Sequence, residues 1–272
     1  MKESVSPSKG KDSPTLWECF ATAVHFLTRI TISRSLAKRE GYDHVRALNR
    51  SVVFFPLVGG LIGVVNASFL LGFIYVGISP LLAAFLALGL DTYITGAFHE
   101  DAFADTCDAL GGGWTRESVL EIMKDSRLGT YGTVALVIGI AIRGLAMEAT
   151  ASNGFVWAFA SIVAAAMLGR LVIVIFMVTT SPILSRHSQA RDVSERQPVT
   201  RLLVSMLLAL PFGIAWLFQY PKIAAVSIVV CLLIMVWYRR MILRRIGGTT
   251  GDILGTSGFL AQLVILVGAS VA

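Results

Sequence analysis

Charged residues are scarce in this chain of 272 residues, since Lys, Arg, Asp and Glu together make up only 15% of it. A soluble domain carries about 25% charged residues, which cover the surface that faces water. The mean hydropathy is +0.73, and the recurring apolar runs are long enough to cross a bilayer, which takes about 20 residues each. The composition therefore indicates an integral membrane protein and argues against a large soluble protein with buried helices.

Cysteine is also sparse, and Cys19, Cys107 and Cys231 show no CxxC or other paired spacing. An odd, scattered set argues against a disulfide framework and against a zinc site. The net charge of +6 indicates basic loops and contact with anionic headgroups of the lipid bilayer, and no nucleic-acid partner. Residues 1–14 are polar, so we expect a disordered N-terminal tail without a cleavable signal peptide.

The hydropathy pattern predicts an all-α, polytopic membrane protein with about seven transmembrane helices plus an amphipathic N-terminal helix. Residues 15–32 would form that first helix, because His25 and Arg29 interrupt the apolar run as in an interfacial or packed helix. No internal repeat is evident, and residues 15–272 are expected to form a single polytopic catalytic domain. The seven spans are predicted at about 52–78, 81–98, 131–150, 155–180, 202–218, 222–238 and 254–272.

The connections between these spans fall into two classes that alternate across the membrane. The long, basic ones are the N-terminal region and residues 99–130, 181–201 and 239–252. The short ones lie around residues 79–80, 151–154 and 219–221. The positive-inside rule places the long segments, which carry the chemically rich residues, on the cytoplasmic side.

An acidic segment directly follows the second predicted span. Asp101, Asp105 and Asp108 stand at i, i+4 and i+7, so in a helix all three carboxylates project from one face, while Glu100 points away. Hard oxygen ligands at this spacing suit Mg²⁺ or Mn²⁺. His99 would assist as a base, as a phosphate contact or by donating a hydrogen bond to a ligand. The alternative is a solvated acidic face, which is expensive at a membrane border.

Two further segments carry candidate residues. Residues 115–125 predict a short amphipathic helix that ends near Lys124, Asp125 and Arg127, and the two cations suit phosphate contacts or simple anchoring at the membrane. Before the last span, small residues around Gly251 would let the backbone approach a ligand, and Asp252 could add a metal ligand. A plain turn between helices is the alternative for that segment.

Charges inside the predicted spans are functional candidates or internal ion pairs. Arg170 lies near the middle of its span and would meet the acidic segment or Asp91. Arg143 and Glu148 lie nearer the outer end of theirs, so we expect them to pair with each other or to reach the interface.

The chain resembles the cobalamin synthase family, the adenosylcobinamide-GDP ribazoletransferases. The central strings HEDAFADTCDALGGG and LEIMKDSRLGTYG look like the family's signature. Outside the centre, HFLTRITI (25–32), FFPLVGGLIG (54–63) and GGTTGDILG (247–255) look like its other motifs. Together these strings cover the chain from near residue 20 to its end.

The resemblance implies an Mg²⁺-dependent transferase of late cobalamin biosynthesis in the bacterial inner membrane. Such an enzyme joins adenosylcobinamide-GDP to α-ribazole, or to its 5′-phosphate, and releases GMP. A homo-oligomer is compatible with the sequence. The acidic pattern also resembles CDP-alcohol phosphotransferases, so a related enzyme with another acceptor is one alternative. A metal or corrinoid transporter and an inactive scaffold are the others.

On this hypothesis the acidic residues bind metal and the basic ones bind the substrate. Asp101, Asp105, Asp108 and Asp252 would hold Mg²⁺, and Asp125 would act as a further ligand or base. Lys124 and Arg127 would bind the diphosphate, and His99 or one Asp would take the proton of the attacking hydroxyl. Gly251, Asp252 and Arg170 are further substrate-binding candidates.

The sequence departs from the family pattern at two positions of the acidic segment, where Ala102 and Ala109 stand in place of the usual Gly. In a helix the alanines are harmless. If the backbone there needs a positive φ, they are strained and the site could be altered.

Overall fold

The structure, a computed structural model, describes residues 13–32, 43–183 and 196–272. Residues 1–12 of the predicted N-terminal tail lie outside these described ranges. The helices within them are α1 (Leu16–Leu27), α2 (His44–Ser51), α3 (Phe55–Tyr75), α4 (Pro80–Thr95), α5 (Phe98–Gly112), α6 (Arg116–Ile122), α7 (Thr130–Ser152), α8 (Phe155–Thr179), α9 (Val199–Gln219), α10 (Pro221–Arg245) and α11 (Gly251–Ala269). A 3₁₀ turn, Val52–Phe54, joins α2 to α3.

Six of the predicted spans are confirmed as α3 and α7 to α11, because each of these helices is long and apolar enough to cross a membrane. The remaining predicted span corresponds to α4, which meets the same criterion only together with α5, as a bent pair. Pro80 and Pro221 begin α4 and α10, where a proline loses no helical hydrogen bond. α10 continues seven residues beyond its predicted end at 238, as far as Arg245.

The sharpest feature of the backbone is a 90° bend between α4 and α5. It occurs at Gly96 and Ala97, whose φ angles of 72° and 60° are both left-handed. Glycine adopts this conformation freely, whereas alanine is strained in it. α5 therefore leaves the direction of the span and carries the acidic segment across the end of the bundle.

α8 forms the centre of the bundle and packs between α3 and α11. Small residues let the backbones approach, as at Gly63 on α3 against Val163, and at Gly169 against the carbonyl of Gly258 on α11. Close packing of small residues is a main source of helix association in membranes. By contrast, most of α9 and α10 is exposed in the described structure, as expected for surfaces that face lipid.

The N-terminal helix is packed, because Ala23, Val24 and Leu27 of α1 are buried against the beginning of α3. Its capping box, formed by Thr15 and Glu18, is a standard helix start. The helix ends at Leu27, five residues before its predicted end. α2 lies in a segment predicted only as a polar connection, where Asp43 caps a short amphipathic helix.

The long connections meet at one end of the bundle, as the alternation of loops predicts. There Ser181 and Ile183 exchange backbone hydrogen bonds with Thr249, and Arg116 binds the carbonyl of Ile246 at 2.8 Å. At the opposite end, Trp157 donates to the carbonyl of Ala269 at 2.9 Å. We call the first of these the polar end.

Candidate active site

The site at the polar end is built on the acidic face of α5. Asp101 is exposed and Asp105 is half-buried, and both project from the same side of the helix because they are one turn apart. Asp252, in the first turn of α11, is also half-buried. Its charge and that of Asp101 both act on the Asp105 carboxylate, so three predicted ligands from two helices lie near enough to repel one another.

Close packing of α5 against α11 places Asp252 near the acidic face of α5. Gly255 lies so close to α5 that an added Cβ would stand 2.5 Å from the Cβ of Ala102. One residue later, the Thr256 hydroxyl is 2.8 Å from both the carbonyl of Ala102 and the Thr106 hydroxyl. Phe103 and Phe259 then stack at 4.6 Å. Asp252 is one helical turn from Gly255 and so lies on the face of α11 that meets α5.

Asp108 has a different environment from the other acidic residues. It is buried, and its two oxygens accept hydrogen bonds from the backbone N–H groups of Gly129 (2.7 Å) and Gly132 (2.8 Å). These are the cap and third residues of α7, where helical N–H groups have no partner within their own helix. Asp108, which belongs to α5, therefore caps the N-terminus of α7. Its role as a metal ligand stays a prediction.

Two glycines make this cap sterically possible. A Cβ at Gly132 would stand 2.2 Å from an Asp108 oxygen, and one at Gly129 would stand 2.5 Å from the other. The string LGTYG thus has a physical explanation in the approach of α5 to the beginning of α7. Gly111 and Gly112 form the last turn of α5, and Gly113 caps it, so the glycine run ends the helix as predicted.

Within the described ranges, Asp101, Asp105 and Asp252 have no cationic partner. Within the same ranges, no three His, Cys, Asp or Glu side chains converge as they would around a bound metal ion. Mg²⁺ is commonly held by one or two carboxylates together with water and phosphate oxygens, and an uncompensated carboxylate set of this kind fits that ion chemically.

The loop between α6 and α7 carries the predicted phosphate contacts and approaches the start of α11. Met123, at the end of α6, contacts Thr250 immediately before α11, with 3.1 Å between the sulfur and the hydroxyl. Lys124 is exposed. Arg127 is paired with Asp125 at 2.6 Å, and this hydrogen bonding lowers the pKa of Asp125 to about 2.

The same pairing raises the pKa of Arg127. Both groups are therefore ionised near neutral pH, and a phosphate would compete with Asp125 for the guanidinium. Asp125 is not among the charges that act on Asp105, so the structure places it on this loop and outside the acidic group.

His99 and Arg170 lie apart from the acidic face. Both are buried, and the charges of Arg170 and Arg143 act on the His99 ring. Residues 99 and 101 are about 200° apart around a helix, so His99 faces the interior while Asp101 faces outward. Arg170 is 3.4 Å from the Gln262 side chain on α11. The roles of His99 and Arg170 at the substrate stay predictions.

Arg143 does not pair with Glu148, and that prediction is wrong. It is buried and pairs instead with Asp91 of α4 and with Glu100 of α5, the latter at 2.9 Å. The prediction failed because it considered only charges on the same helix, whereas the burial of an arginine favours carboxylates that packing brings from other helices. Glu100 does point away from the acidic face, as predicted, and this ion pair is the reason.

Ala102 and Ala109 are both in the middle of α5 and buried. Ala97 is the only non-glycine residue in the described ranges with a positive φ, so neither alanine is strained. The helical interpretation of these two positions is confirmed.

Arg245, at the end of α10, binds the end of α5, and this contact was not predicted from the sequence. Arg245 donates to the carbonyls of Leu110 (3.2 Å) and Gly113 (2.6 Å). A cation at a helix C-terminus is favourable, because the last carbonyls there have no partner within the helix. From the sequence, the basic residues at the end of this span indicated only a membrane border and did not identify a contact with α5.

Comparison with known proteins gives matches over nearly the whole chain. The family model described as cobalamin-5-phosphate synthase matches residues 19–270. Similar proteins named adenosylcobinamide-GDP ribazoletransferase include one from Ralstonia pickettii (strain 12J), 33% identical, covering 93% of this chain and 94% of its own. Another, from Rhizobium johnstonii, is 36% identical and covers 93% and 96%. No solved structure matches significantly.

Proposed function

The chain belongs to the cobalamin-5-phosphate synthase family, and from this premise we propose that it is an adenosylcobinamide-GDP ribazoletransferase. It transfers the adenosylcobinamide phosphoryl group from adenosylcobinamide-GDP to α-ribazole or to its 5′-phosphate. The products are adenosylcobalamin or its phosphate, together with GMP. The observation that carries the proposal is the match to the family over residues 19–270, within which Asp101, Asp105 and Asp252 of two helices lie near enough to interact electrostatically.

The reaction replaces the phosphoanhydride bond of the diphosphate with a phosphodiester bond. The ribazole hydroxyl oxygen forms a bond to the phosphorus on the cobinamide side, and the bond from that phosphorus to the oxygen of GMP breaks. The hydroxyl proton passes to a base, and GMP leaves with the bonding electron pair. Such a transfer depends mainly on positioning and on neutralising charge.

Asp101, Asp105 and Asp252 would hold Mg²⁺, with Asp108 as a further ligand beyond its backbone hydrogen bonds. When bound, the ion would neutralise charge on the diphosphate. Asp101 is exposed and Asp105 half-buried, so either carboxylate can reach a bound hydroxyl and take its proton. His99 would need a different orientation to do so, because it lies on the inner side of α5.

The basic loop supplies the contacts for the anionic substrate. Lys124 is exposed and would bind a phosphate as a point charge. Arg127 would exchange its partner Asp125 for the diphosphate. Gly251, the first residue of α11, would offer its backbone N–H, which has no partner within the helix.

We propose that the polar end faces the cytoplasm of a bacterial inner membrane. Among the described residues, that end carries the arginines at the C-terminus of α10 and on α6, whereas Lys222 is the cation at the opposite end. Lys and Arg concentrate on the cytoplasmic side of membrane proteins. Substrates made in the cytoplasm could then reach the site directly.

A direct assay tests the activity. The purified protein in lipid nanodiscs is incubated with adenosylcobinamide-GDP, α-ribazole and Mg²⁺, and the expected products are adenosylcobalamin and GMP in equal amounts. Asp105→Asn should abolish turnover while the protein inserts and folds normally, and EDTA should abolish it reversibly. Ser68→Ala is a matched control, since Ser68 is exposed on α3 and bonds only its own helix.

Failure of the wild-type protein to release GMP from adenosylcobinamide-GDP would refute the proposed reaction. Activity of Asp105→Asn close to wild type would refute the metal assignment alone. A metal or corrinoid transporter is disfavoured because the acidic group lies at one end of the bundle, whereas transporters commonly bind their substrate near the midplane.

A further inference from the structure

A buried ion triad lies under the acidic helix. Arg143 of α7 donates from one guanidinium nitrogen to Glu100 of α5, at 2.9 Å, and pairs through the other with Asp91 of α4. The exposed fractions of Arg143, Asp91 and Glu100 are only 3%, 3% and 6%. Removing one partner of a buried ion pair leaves an uncompensated charge, so the three residues act as a unit.

The triad spans the 90° bend between α4 and α5. Asp91 precedes the bend at Gly96 and Ala97 by about one helical turn, and Glu100 follows it by three residues. Arg143 lies on α7, outside both helices of the bend, and contacts a carboxylate of each. Its planar fork is suited to binding two acceptors in a fixed geometry, and the angle between α4 and α5 is thereby tied to a third helix.

α7 holds the other end of α5 as well. The cap of α7 is the Asp108 carboxylate, two turns after Glu100 on the same helix. α5 is therefore attached to α7 through Glu100 near its beginning and through Asp108 near its end. Asp101 and Asp105 lie between these attachments and face outward.

The surroundings of the triad balance its charge. Arg170 of α8 is buried, and Asp91, Glu100 and Arg143 all act on it electrostatically. Two arginines thus face two carboxylates, and the group as a whole carries no excess positive charge that would bind a phosphate. Glu148, the one acidic residue of α7, makes no ion pair within the described residues.

We propose that Arg143 is a positioning residue for the reaction. By bridging Asp91 and Glu100 it sets the orientation of α5, and with it the position of Asp101 and Asp105 relative to Asp252 of α11. This inference rests on the proposed function and adds a residue that touches neither substrate nor metal. A purely structural role would change how much protein folds, whereas a positioning role changes how well the folded protein works.

Two variants separate these roles. Arg143→Met removes the bridge and leaves one excess buried carboxylate. The double variant Glu100→Gln/Arg143→Met also removes the bridge but keeps Asp91 balanced by Arg170. Glu148→Gln is the matched control, because it neutralises an acidic residue on the same helix outside the triad. For each variant, kcat, KM and the Mg²⁺ concentration that gives half-maximal activity are measured, with kcat normalised to the amount of folded protein.

We expect the double variant to recover most of the thermal stability that Arg143→Met loses. Both should still show kcat lowered, and the half-saturating Mg²⁺ concentration raised, by about 10- to 100-fold, the usual effect of losing a partner that orients a metal ligand. Glu148→Gln should match wild type. If the double variant recovers wild-type kcat and Mg²⁺ dependence together with stability, the positioning role is refuted.

Hydrogen–deuterium exchange gives a readout that needs no turnover. In the double variant, exchange should increase in the peptide that covers residues 98–112 and stay unchanged in α8 at the centre of the bundle. Unchanged exchange in residues 98–112 would overturn the inference. If the wild-type protein lacks ribazoletransferase activity while this local change is present, the proposed function fails and the effect of Arg143 on α5 stands.

Discussion

The two carboxylates Asp105 and Asp108 stand on the same face of α5, yet the structure predicts opposite effects of changing each to asparagine. Asp108 accepts two backbone hydrogen bonds at the start of α7, whereas Asp105 has no ion pair within the described residues and is repelled by neighbouring carboxylates. Asp108→Asn should therefore destabilise the fold, and Asp105→Asn should not.

The magnitude follows from the contacts. An asparagine can accept from only one of Gly129 and Gly132 and would direct its NH₂ group at the other N–H. The loss of one hydrogen bond to a charged group costs about 1.5–3 kcal/mol, and the loss of a negative charge at a helix N-terminus costs about 0.3–1 kcal/mol. Relief of repulsion with Asp105 offsets a small part, so we expect a loss of about 2–4 kcal/mol in the free energy of unfolding.

The assay is reversible unfolding in mixed detergent micelles, with EDTA present throughout so that metal binding does not contribute. Asp105→Asn is the matched control, with an expected free energy of unfolding equal to wild type or slightly higher, because it removes one of several repelling charges. Wild-type stability of Asp108→Asn, or an equal loss in both variants, would show that Asp108 does not cap α7.

Three further outcomes follow from the structure. Gly255→Ala should lower the free energy of unfolding by about 1–3 kcal/mol, because its Cβ would overlap α5, while Gly72→Ala, with open space around it, should be neutral or stabilising in the same measurement. Ala97→Gly should stabilise the protein by up to about 1 kcal/mol by relieving the left-handed conformation; a destabilised variant would contradict the bend. Because the pKa of Asp125 is lowered to about 2, its pairing with Arg127 is lost only as the pH falls through about 2, and ¹³C NMR of the carboxyl should show that pKa return toward 3.8 in Arg127→Gln.

The sequence by itself determined the spans, their alternation and the acidic face. Each of these depends on local periodicity: a run of about 20 apolar residues is long enough to cross a bilayer wherever it stands, and the i, i+4 and i+7 spacing of Asp101, Asp105 and Asp108 puts them on one side of any helix. The sequence also predicted that the long basic connections lie together at the polar end, because basic loops collect on one side of a membrane.

Only the tertiary structure decided what each charged residue contacts. The left-handed turn at Gly96 and Ala97 redirects α5, and no sequence period encodes that angle. Asp105 and Asp108 have equivalent positions in the sequence pattern, but the packing of α5 against α7 and α11 gives them different environments. Asp108 is buried and caps α7, while Asp105 makes no such contact. Arg143 pairs across helices with Asp91 and Glu100, because a buried charge needs a partner and packing alone determines which carboxylates are within reach.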